Sequence, residues 1–223
     1  FDDRVDLRLG RQDFFDVNGF NYGAGRIFAD GSAYDTSRVN YMDGGKAVIK
    51  FDEKNTLDVL VIYDSPDNEM SWGHVEAPNG TPQSERPLNS VNMLSHGLAE
   101  WGGALYFKSR EHKEFPFDIY YVFKRETKST LPWGAKLPGR DIHTWGARVT
   151  PQLTETLSAD IEGAAQAGEK DDGTLTSGYM GYAGLTYRPT VDMSAKPFFT
   201  GSVYYLSGDK NRNDGHDNSW DPL

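Results

Sequence analysis

Charged residues recur at every second position along much of this chain, opposite apolar and aromatic residues, and any chemistry it performs should lie on that charged set. One parity holds Arg4, Arg8, Arg38, Lys50, Lys108, Lys124, Arg148, Arg188 and Lys196, interspersed with Asp6, Asp58, Glu100, Asp118, Asp160 and Glu162. Arginine presents a planar fork that grips carboxylates bidentately, and a wall of cations selects anionic solutes. The competing expectation is that the two signs pair across neighbouring strands and stiffen the wall. On the first expectation the solute-facing set is Arg8, Arg38, Lys50, Lys108, Asp118, Lys124, Arg148, Glu162 and Arg188. Asp118 and Glu162 would keep binding weak enough for release.

Other chemistries find little support. There is no cysteine, so disulfides, thiolate catalysis and Cys-ligated zinc are excluded. The five histidines (His74, His96, His112, His143, His216) form no H-x-x-x-H pair, and no G-x-S-x-G, P-loop or Rossmann fingerprint occurs. Ser95-His96, ahead of Glu100, leaves a hydrolase as a minor alternative, because triads are recognised by geometry. Asp209, Asn211 and Asn213 place oxygens at alternate positions, as a calcium loop does. However, Asp214 stands where an EF-hand needs glycine and Trp220 where it needs glutamate, so an ordinary Asn/Asp-rich turn competes. The expectation is a non-enzyme without cofactor, calcium being the one candidate. A net charge of −10 argues against nucleic acid as a partner.

The elements that must carry these residues are strands. Val5, Leu7 and Leu9 alternate with Arg4, Asp6 and Arg8, and the same period recurs through Val39–Phe51, Leu57–Tyr63, Trp101–Phe107, Phe115–Phe123, Trp145–Val149, Leu157–Ala165, Tyr179–Tyr187 and Phe199–Tyr205. Aromatic residues make up 13% of the chain, too many for disorder. The connections alternate in kind. Residues 52–56, 110–114, 150–154 and 189–194 read as short turns. Residues 12–31, 64–97, 126–139, 168–174 and those from 208 onward read as long or polar, provided 34–51 is one strand. Short turns at one end and long loops at the other suit an up-and-down transmembrane β-barrel. About nine strands, most near ten residues, suit a tilted bilayer crossing. Trp101, Tyr106, Tyr120, Tyr121, Trp145, Tyr187, Tyr204 and Tyr205 are candidates for interfacial girdles.

Several segments resemble the alginate-export outer-membrane β-barrels of Gram-negative bacteria: Arg8-Leu9-Gly10-Arg11-Gln12, Tyr34-Asp35 with Arg38-Val39, Asp160-Ile161-Glu162-Gly163-Ala164-Ala165-Gln166 closed by Gly168, and Ser207-Gly208-Asp209 followed by Trp220-Asp221-Pro222-Leu223. Thr36 departs from the family's F-D-G. The resemblance implies an all-β, antiparallel outer-membrane barrel, of which residues 1–223 form a single β-barrel domain truncated at both ends. It also implies passage of an acidic polysaccharide or other anionic solute, with lipid and lipopolysaccharide as partners. A plugged structural or adhesive barrel, and a soluble carbohydrate-binding β-protein, are the alternatives. The long connection 64–97 is a candidate gate.

Overall fold

The computed structural model describes residues 4–12, 15–16, 19–20, 42–64, 100–130, 136–190, 196–211 and 214–221. Its strands are β1 (Val5–Gln12), β2 (Phe15–Asp16), β3 (Gly19–Phe20), β4 (Met42–Lys50), β5 (Asn55–Asp64), β6 (Glu100–Ser109), β7 (Phe117–Glu126), β8 (Ser129–Thr130), β9 (Lys136–Leu137), β10 (Arg140–Val149), β11 (Leu157–Lys170), β12 (Leu175–Tyr187), β13 (Phe199–Leu206) and β14 (His216–Asp217). Apart from two small hairpins, β2–β3 and β8–β9, these strands form one sheet in the order β1-β4-β5-β6-β7-β10-β11-β12-β13, with β14 pairing to β12 off that path. Every pairing along that path is antiparallel. The path is up-and-down, without a helix among the described residues, and β1 is not paired to β13, so the sheet is not closed.

Register puts every alternation into phase. Arg8 faces Lys46, Lys46 faces Leu60, Leu60 faces Ala104, and Ala104 faces Val122. The series continues through Thr144, Gln166 and Gly178. Leu60, Tyr106, Tyr120, Val122, Thr144, Glu162 and Met180 on this parity are buried, although among the described residues neither a helix nor a second large sheet covers them. A single sheet buries one face only by curling towards it, so this is the inner face. The other parity is apolar and exposed: Leu7, Val61, Leu105, Ile119, Trp145, Ile161, Leu185 and Val203 all lie open. An exposed apolar face this continuous is far beyond the scattered leucines of ordinary soluble surfaces.

Aromatic rings form two ranks on that outer face. Towards the short turns, Phe107 contacts Phe51 and Phe117, with Tyr187 and Phe199 paired further along. Towards the long connections, Trp101 meets Phe123 edge-on, His143 lies against Tyr121, Phe123 and Trp145, and Tyr179 stacks on Tyr205. Not all expected girdle residues belong there: Tyr106 and Tyr120 are buried on the inner face, and Tyr204 packs against Tyr182 on the same parity. Their positions in the alternation, rather than their ring chemistry, decide this.

Three connections differ from expectation. Residues 171–174 close a tight hairpin at the end assigned to the long or polar connections. Gly173 at φ 85° makes the turn, while Asp172 Oδ1 accepts the Thr174 N–H at 3.0 Å. The polar composition of 168–174 came from residues that still pair, Gly168 with Thr176 and Glu169 with Leu175. Conversely, eleven residues, 188–198, separate β12 from β13, where a short turn was expected. The third is the segment after β13, described below. Residues 34–41 and 65–99, with the expected strand start and gate, lie outside the described residues.

Candidate functional site

The site is the charged belt of the inner face. Asp58 on β5 is buried, with Lys108 Nζ at 2.9 Å from β6 and Lys46 Nζ at 3.8 Å from β4. Tyr106 and Tyr120 stack with ring centroids 5.3 Å apart and planes 2° from parallel. The Tyr106 hydroxyl donates to Asp118 Oδ2 at 2.9 Å and that of Tyr120 to Glu162 Oε1 at 2.7 Å. Tyr120 reaches Glu162 by lying over Gly146 on the intervening strand. A Cβ there would stand 2.2 Å from the ring, so glycine is required at this crossing. Arg110 donates to Asp118 Oδ1 at 2.7 Å, and Arg148 forks onto both oxygens of Asp160 at 2.7 and 2.6 Å.

Nearer the long connections, Glu126 binds Arg140 through both carboxylate oxygens and Lys124 at 2.8 Å. Here the segment after β13 enters. It runs alongside β12, with β14 parallel to Leu175 and Thr176, and Lys170 Nζ holds Asp217 Oδ2 at 2.7 Å. It then turns onto the inner face. The Trp220 N–H donates to the Ser207 carbonyl, and the Trp220 side chain is buried in one cluster with Tyr106, Tyr120, Val122, Ala164 and Met180. Asp221 reaches Lys124 at 3.2 Å and also pairs with Arg140. Gln166 brackets its backbone, donating to the Asp221 carbonyl at 2.7 Å and accepting its N–H at 2.9 Å. Gly178 leaves the room: a Cβ there would stand 2.9 Å from the Ser219 carbonyl oxygen and 3.0 Å from Trp220 Cα.

Within this belt six cations (Lys46, Lys108, Arg110, Lys124, Arg140, Arg148) meet six acids (Asp58, Asp118, Glu126, Asp160, Glu162, Asp221), so it is neutral with Asp221 in place. The signs therefore pair, as the second sequence expectation held. Low dielectric makes each pair costly to break but not net stabilising in itself.

Of the expected solute-facing residues, the structure joins Lys108, Asp118, Lys124, Arg148 and Glu162 into this belt. Arg8 lies on the exposed edge strand β1, 3.8 Å from Asp6. Lys50 is exposed at the end of β4. Arg188 lies beyond β12, donating to Ser158 Oγ at 3.3 Å with its guanidinium 5.9 Å from the Phe198 ring centre. Arg38 lies outside the described residues. Asp209 and Asn211 form an Asx turn, Asp209 Oδ1 accepting the Asn211 N–H at 3.2 Å; Asn213 lies outside the described residues. Among the described residues no cluster of three or more His, Cys, Asp or Glu side chains is placed to hold a metal ion.

Sequence reasoning missed Lys46, Arg110, Glu126, Arg140, Gln166, Trp220 and Asp221. Lys46 and Gln166 stand on the charged parity and were within reach of the alternation. Glu126 and Arg110 fall at strand ends read as connections, and Arg140 lies between the connection 126–139 and the strand read from Trp145. Trp220 and Asp221 had only a motif to mark them, with nothing to show that they fold inward. No family model, curated protein or solved structure matches the chain.

Proposed function

We propose that this chain builds part of the wall of a bacterial outer-membrane β-barrel through which an acidic glycan of the alginate type, or another anionic solute, diffuses. The observation that carries the reading is the division of faces. Nine antiparallel strands present an exposed apolar outer face between two ranks of aromatics, and a charged inner face. A bilayer rewards that division, because lipid takes the apolar side and aromatic rings sit at the headgroups. Between Trp101 and Phe107 the strand advances six residues, roughly 20 Å at about 3.3 Å each, or about 15 Å of height at the usual strand tilt, the larger part of a barrel's apolar band of about 25 Å. Among the described residues the outer edges of β1 and β13 have no partner strand, and on this reading further strands cover them, since open backbone in hydrocarbon costs several kcal/mol per group.

No bond is made or broken. Cations along the wall replace part of the solute's counterions and water, and the acids beside them keep each contact exchangeable. The test is single-channel conductance of the protein in a planar bilayer with polyuronate titrated in. Open current blocked by the polymer, with block weakened about tenfold or more in Arg148→Ala, is the expected result. Current indifferent to polyuronate would remove the acidic glycan and keep the barrel.

A second reading is favoured by the neutral ionic belt and by the strap after β13, described at 208–211 and 214–221, which brings Trp220 and Asp221 onto the inner face: a plugged barrel with a structural or adhesive role. Absence of current from inserted, folded protein would select it.

A further inference from the structure

Asp221 is held as a bound carboxylate ligand would be held. Its two carboxylate oxygens meet Lys124 and Arg140, and its peptide group is bracketed by the Gln166 amide. The pocket is built and largely enclosed, with side-chain exposures of 12% for Lys124, 26% for Arg140 and 5% for the flanking Glu126. Its charge balance is also specific. Lys124 and Arg140 supply two positive charges and Glu126 one negative, so without Asp221 the pocket carries one net positive charge, and one carboxylate restores neutrality.

We infer that Lys124, Arg140 and Gln166 form a monocarboxylate-binding subsite that Asp221 occupies as an internal ligand, and that the carboxylate of an acidic sugar residue opens the inner face by displacing it. This rests on the transport reading above. The strap is suited to release. Its outer half is anchored separately, by Lys170 on Asp217 and by Ser177 Oγ on Asn218 Oδ1 at 2.7 Å, while the inner half enters over Gly178. Loss of Asp221 from the pocket withdraws Trp220 from its cluster, so occupancy by solute and exposure of Trp220 are linked. Because the strap competes, the apparent affinity for a uronate is reduced by the fraction of time that Asp221 fills the pocket.

Two variants weaken the internal ligand differently. Asp221→Asn removes its charge, and Gly178→Ala crowds the strap backbone, with the Gln166 Oε1 that accepts the Asp221 N–H also 3.1 Å from the added Cβ, without touching any charge. The measurement is binding of D-glucuronate to detergent-solubilised, folded protein by calorimetry, which needs no channel. Both variants are expected to tighten binding about five- to tenfold, and Lys124→Ala combined with Asp221→Asn to lose that gain. Unchanged affinity in Asp221→Asn and Gly178→Ala, both folded, overturns the subsite even where polyuronate still blocks current. Tightened binding in a protein that conducts nothing keeps the subsite and discards the transport reading.

Discussion

Asp58 shows what the inner face demands of a single residue. Its side chain is 2% exposed and lies between Lys108 and Lys46. Removing the carboxylate strands two ammonium groups in a poorly hydrated place, and breaking such a buried pair from one side costs about 3–5 kcal/mol. Asp58→Ala is therefore expected to lower the urea midpoint of the folded protein markedly, whereas Asp6→Ala, at the exposed Arg8 pair, should leave it within the error of the measurement. Equal effects of the two would mean that the inner face is wet throughout. Gly146 makes the complementary point by sterics. Gly146→Val drives a side chain into the Tyr120 ring, and the expected result is loss of the Tyr120–Glu162 bond, seen as a rise in tyrosine accessibility to iodination.

Among the elements, the strap and β14 carry the pH dependence. Burial alone would raise the Asp217 carboxyl, but the hydrogen bond from Lys170 and those from Ser219 outweigh it and hold Asp217 below its ordinary value. A carboxylate depressed in the folded state contributes its stabilisation fully above the ordinary carboxylate range, and loses it as pH falls through the depressed value. The strap should thus stay docked near neutrality and loosen only in strong acid. Trp220 fluorescence is the readout: its emission, isolated by difference from Trp220→Phe, is expected to shift to the red in acid. Lys170→Met should move that transition to higher pH, and an unmoved transition would place the anchor elsewhere. The hairpin turns behave differently. Asp52 is held low by its bonds from the Asn55 side chain and the Lys54 and Asn55 backbones, and Asp172 by those from Thr174. Both are fully exposed turn residues that set local geometry.

For the whole molecule, the decisive property is which face meets which solvent. Arginine on the apolar face at mid-bilayer costs about 2–4 kcal/mol in a membrane barrel, and little on a surface already in water. Leu105→Arg, between the Trp101 and Phe107 ranks, is expected to abolish or strongly weaken folding into vesicles; Leu153→Arg, in the connection after β10, should be tolerated. Equal tolerance at both sites would remove the membrane reading and return the protein to the soluble β-class.

The alternation alone determined the all-β class, the nine-strand path and the division of faces, because a period of two leaves a strand only one way to separate charge from apolar surface. Hence Lys108, Asp118, Lys124, Arg148 and Glu162 were legible from their parity as members of one wall. Register decided the rest. It stacked Tyr106 on Tyr120, seated Tyr120 over Gly146, and matched nearly every cation to an acid on another strand. Nothing local marks such a partner, since a sequence states which face a residue takes but not what stands opposite. Trp220 and Asp221 are the extreme case. A stretch whose composition reads as polar loop turns inward because a tryptophan and a carboxylate find, on distant strands, an apolar cluster and two cations that only the assembled sheet brings together.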